Sequence, residues 1–99
     1  AASEFAFYDT VSSVLALRKQ IEEKEKFIVG QPTDSLLEKA YQELAQSYLK
    51  LSTLSKDKKD IQVGQERIQE ILQRYLHAET RISLNNVLEQ LRTLEKSLE

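Results

Sequence analysis

The chain has 99 residues, 40% of them hydrophobic and 30% charged, with no cysteine, methionine or tryptophan, two glycines and one proline. That is one domain at most, and an all-β fold is excluded, because a sandwich or barrel needs a turn residue about every 8 to 12 positions and only Gly30, Pro32 and Gly64 offer one. The 14 basic and 16 acidic residues give a net charge of -2 and are interspersed along the chain, so no face is built for phosphates and nucleic acid is not an expected partner.

Ala, Glu, Lys, Leu and Arg supply 48 of the 99 residues, the composition of long helices. Residues 1–5 read as a remnant foreign to the domain, on a fragment of a larger protein. A first helix is expected over residues 6–29. Phe7, Val11, Val14, Ile21 and Ile28 step by three, four or seven and form one apolar stripe. Gly30 suits a left-handed C-terminal cap and Pro32 cannot continue a helix, so residues 30–34 form a turn. Ser35 and Glu38 then have the spacing of a capping box, with Thr33 as the competing cap.

The second stripe is Leu37, Tyr41, Leu44, Tyr48 and Leu51, a heptad alternation. A turn of about five residues between two amphipathic helices favours antiparallel neighbours, so the two stripes form the seam of a helical hairpin. Residues 55–60 lose their apolar residues, and Gly64 follows. With no proline there, the second helix is expected to run over 35–98, with a kink or break within 55–64; a break that closes a three-helix bundle is the alternative. The continuous helix would be a rod roughly 95 Å long. Beyond Gly64, Ile68, Ile71, Tyr75 and Ile82 share one register, and Leu84, Val87, Leu91, Leu94 and Leu98 share another. A first helix folded back on the second cannot reach these residues, so they are the expected interface with another chain.

No catalytic chemistry is expected. His77 is the single histidine, and the position three residues before it is Arg74 rather than the glutamate of a bundle metal site. Glu22, Glu23, Glu25, Glu66 and Glu70 alternate with Lys19, Lys24, Lys26, Arg67 and Arg74, the pattern of solvated ion pairs. Asp57 and Asp60 lack the glycine and closing glutamate of a calcium loop. No glycine-rich phosphate loop exists, and no cofactor or metal is expected.

The fold expected is therefore all-α: an antiparallel helical hairpin whose second helix extends into a coiled coil. The function expected is non-enzymatic assembly by helix packing, with a second copy of the chain or a helical partner protein. A compact three-helix adaptor holding a partner helix is the alternative, and a membrane-remodelling helical dimer a further one, weakened by Asp57 and Asp60 among Lys56, Lys58 and Lys59. No apolar run approaches the roughly 20 residues of a membrane span. The absence of cysteine fits an intracellular, cytoplasmic chain.

Overall fold

The alternation of apolar stripes and capping residues resolves into four helices in the computed structural model, which describes the backbone of residues 2–99 and the side chains of residues 10–99. They are α1 (Ala2–Val29), α2 (Asp34–Ser55), α3 (Lys58–Leu72) and α4 (Ala78–Ser97). Helix accounts for 86% of the chain, and no strand is present among the described residues.

The α1–α2 turn falls where Gly30 and Pro32 place it, but its details differ from expectation. Gln31, not Gly30, takes the left-handed conformation (φ 55°) and donates its amide to Ile28 O at 3.1 Å. A side chain there costs about 1–2 kcal/mol, and the following Pro32 disfavours it further by pushing its predecessor toward extended backbone. Thr33 is the N-cap of α2, in extended conformation and without a side-chain cap bond. The Ser35–Glu38 capping box does not form, because the cap at Thr33 puts Ser35 inside the first turn of α2, and Glu38 pairs with His77 instead.

The rod is not formed either. α2 ends at Lys56, whose backbone is left-handed (φ 52°) and whose amide returns to Ser52 O at 2.9 Å. Asp57 restarts the helix by accepting the Lys59 amide at 2.9 Å, an N-cap worth about 1 kcal/mol. A second interruption spans residues 73–77, where no glycine or proline signals it. There Arg81 reaches back to Leu72 O at 3.0 Å and Arg74 O at 2.7 Å, satisfying carbonyls that a continuing helix would have used. The molecule measures 49 × 29 × 19 Å.

α2 is the central element, packed against α1, α3 and α4, and α3 also packs against α4. Ile61, Ile68, Ile71, Leu84, Val87 and Leu91 are fully buried among α2, α3 and α4, with Tyr41, Leu44, Ala45 and Leu51 of α2 in the same core. Burying each Leu or Ile contributes roughly 1.5–3 kcal/mol. Gly64 sits inside α3 where it crosses its neighbours: a Cβ there would lie 3.2 Å from Tyr48 Cβ and 3.4 Å from Leu91 Cδ1. The glycine sets how close α3 lies to α2 rather than kinking a long helix.

Candidate functional site

α1 is the least enclosed helix. Among the described residues its backbone approaches that of α2 alone, along buried Leu17 and Ile21 and half-buried Val14 and Ile28. Charged side chains add the remaining ties. Arg18 forms a fork with Asp60 (2.9 and 3.0 Å), and the Ser55 hydroxyl donates to the same carboxylate at 2.7 Å. Asp60 is largely enclosed, its side chain 10% exposed, and Arg18 is half-open to water. Arg67 of α3 donates through Nε (2.9 Å) and its terminal nitrogen (2.8 Å) to Glu25, and to Glu70 at 2.7 Å. Those bonds to Glu25 hold the Arg67 guanidinium above its ordinary pKa. Lys24 reaches Glu43 at 2.6 Å and lowers that carboxyl. Tyr48, beneath this network, has its phenol pushed up by burial and then by Glu25.

The outer side of α1 is apolar in several places. Leu15 is 63% exposed, Val29 79% and Phe27 48%, while Val11 stands at 40%. Phe27 and Leu36, the latter also half exposed, line one cleft of about 400 Å³ between α1 and α2 with Ala40 at its floor. Lys24, Lys39, Glu23 and Glu43 rim it, so both charge signs flank an apolar centre, an arrangement suited to an amphipathic helix.

At the other side of α2, Glu38 accepts the His77 amide at 2.8 Å and pairs with His77 Nδ1. Glu38 thus caps α4 from a different helix. The Thr80 hydroxyl first, then the His77 amide and ring, hold the Glu38 carboxyl below its ordinary range, while Glu38 raises His77. Thr80 also accepts from Gln42 at 3.1 Å. This corner ties α2 to the start of α4. Among the described residues no group of His, Asp and Glu side chains is placed to hold a metal ion, and no helix is long and apolar enough to cross a membrane.

Most of the residues expected at the hairpin seam are buried or packed against the core. Val14, Ile21, Ile28, Leu37, Tyr41, Leu44, Tyr48 and Leu51 join the core; Val11 is exposed instead, and the Phe7 side chain lies outside the described residues. The residues expected at an interchain interface are largely corrected. Ile68, Ile71, Leu84, Val87 and Leu91 are fully buried inside the chain, and Leu94 and Leu98 pack against that core. The reversal at residues 73–77 turns α4 back onto α2 and α3, so these side chains find partners within their own chain. Tyr75 and Ile82 remain exposed. Ile82 and Leu84 both lie on α4, and the change of register between them arises because Leu84, Val87 and Leu91 form the buried stripe of that helix while Ile82 faces outward.

Sequence reading missed α1 as the helix with free apolar surface. The signal was present in Leu15, Phe27 and Val29, which lie off the main stripe. No protein-family model matches this chain, and no curated protein or solved structure is significantly similar to it.

Proposed function

We propose that this chain is a non-enzymatic assembly module that self-associates, or takes a helical partner protein, through packing on α1 and the adjoining edge of α2. One observation carries this reading: of the nine large hydrophobic side chains exposed among the described residues, four (Val11, Leu15, Phe27 and Val29) lie on α1, and Leu36 faces the same cleft as Phe27. Single exposed apolar residues are ordinary, but Phe27 and Leu36 together form a half-covered apolar floor with charged rims. The titratable groups support a non-catalytic role, because Glu25, Glu38, Glu43 and Asp60 are all engaged in ion pairs between helices.

Light scattering across a wide concentration range tests the proposal. The wild type is expected to dimerise, whereas Phe27→Lys with Leu36→Lys stays monomeric with an unchanged helical spectrum. A wild type that is monomeric up to millimolar concentration, and whose double variant behaves identically, refutes self-association on this surface.

A second reading, a three-helix adaptor holding a further helix, is supported by one feature. α2, α3 and α4 pack mutually, while among the described residues the α1 backbone packs on α2 and reaches α3 through the Arg18–Asp60 and Glu25–Arg67 pairs.

A further inference from the structure

We propose that α1 is exchangeable, and that the groove it fills on α2 and α3 is also filled by the α1 helix of a second copy of this chain, with residues 30–33 as the hinge. This rests on the reading of the chain as a self-associating module and names the surface and the occupant.

Three observations converge on it. The first is the turn. Gln31 holds a left-handed backbone (φ 55°) directly before Pro32, the one combination in the turn that both a side chain and a following proline disfavour. Straightening the turn to extended backbone removes that strain. Pro32 at the same time prevents α1 and α2 from fusing into one helix, so the opened turn remains an extended hinge. Short strained hinges favour exchange of the element they tether.

The second is how α1 is held. Among the described residues its backbone meets α2 alone, whereas α2, α3 and α4 pack on one another and carry Ile61, Ile68, Ile71, Leu84, Val87 and Leu91 of the core. What departure uncovers is specific: the apolar surface of α2 around Leu44 and Leu51, the Asp60 carboxylate that Arg18 had covered, the Arg67 guanidinium and Glu43. A helix that refills this groove must carry an apolar stripe together with a cation for Asp60, an anion for Arg67 and a cation for Glu43. Arg18, Glu25 and Lys24 supply these in α1, and a second α1 supplies them identically. Every contact of the closed chain is then remade between chains.

The third is the apolar surface beside the hinge. Phe27, Val29 and Leu36 are 48%, 79% and 50% exposed and flank residues 30–33. In an exchanged dimer the two hinges run between the two bodies, and the residues beside them are the ones placed to form the additional interface.

The absence of cysteine makes the test direct. Lys24 and Glu43 face each other across the α1–α2 seam at 2.6 Å. Lys24→Cys and Glu43→Cys are made in separate chains, mixed at high concentration, warmed to just below melting, diluted and treated with a short bis-maleimide. Exchange is expected to give a covalent heterodimer joining position 24 of one chain to position 43 of the other. A mixture of Lys24→Cys with Lys96→Cys, remote from the seam, measures collisional background and should give none. Placing Gln31→Gly in both chains relieves the strain of the closed turn and is expected to weaken dimerisation by about tenfold or more per hinge.

Dimers seen by light scattering without the 24–43 product overturn the exchange and leave association through another surface standing. Monomers at every concentration overturn both. A 24–43 product whose yield is unchanged by Gln31→Gly overturns the assignment of residues 30–33 as the strained hinge.

Discussion

Replacing Gly64 with alanine sets helix propensity against packing. In an exposed helix interior the change gains about 1 kcal/mol. Gly64 is instead buried in α3, and the added methyl would meet Tyr48 Cβ at 3.2 Å, Tyr48 Cγ at 3.4 Å and Leu91 Cδ1 at 3.4 Å. The 3.2 Å approach is clearly shorter than the optimum of about 3.5–4.0 Å for carbon pairs, and the two at 3.4 Å sit just below it. Leu91 can yield by a small rotation, but Tyr48 Cβ is fixed to the α2 backbone, so relief requires α2 and α3 to move apart. Overpacking of this kind costs about 1–3 kcal/mol. The losses outweigh the gain, and a net destabilisation of about 1 kcal/mol is expected. For a domain of this size that is a fall in melting temperature of roughly 4–8 °C. Urea and thermal unfolding followed by circular dichroism measure it. A Gly64→Ala variant that is more stable by about 1 kcal/mol would refute the close crossing of α3 over α2.

The sole histidine gives a clean pH probe: His77 is expected to titrate above its ordinary 6.5 in the folded chain, and Glu38→Gln should return it toward that value by NMR. Because the folded His77 value is raised, its contribution to stability is complete below pH 6.5 and fades as pH rises through the raised value. Because Glu38 is lowered, its contribution is complete above pH 4.5 and fades as pH falls through the lowered value, so the pair stabilises most between the two. A flat difference between wild type and Glu38→Gln across that range counts against the pair. Ser52 is fully buried with no hydrogen-bond partner for its hydroxyl among the described residues, so Ser52→Ala should stabilise the chain by about 1 kcal/mol, and a loss in urea denaturation would show a missing partner. Asp60→Ala should cost about 1.5–3 kcal/mol, since Asp60 is enclosed and accepts from both Arg18 and Ser55. Lys26→Ala, which breaks an exposed pair with Glu22, should change stability by less than about 0.5 kcal/mol; equal effects for the two would deny the enclosed fork its role.

Local chemistry in the chain was sufficient for the all-helical class and for the end of α1 near Gly30. Those features depend on residues a few positions apart: an apolar stripe, a proline and the composition of the turn. The N-cap Asp57 is equally local chemistry, but the lack of glycine and proline in residues 55–60 pointed to a continuous helix there. The stop at residues 73–77 was not local. It depends on Arg81 taking the carbonyls of Leu72 and Arg74 and on Glu38, 39 residues away in sequence, taking the His77 amide. The same holds for the use made of Leu84, Val87 and Leu91. Their stripe determined that a face would be buried, since apolar area leaves water wherever it can. Which surface covered it was decided by the reversal of α4, and that reversal, by enclosing the expected interface, left α1 as the helix with apolar surface to spare.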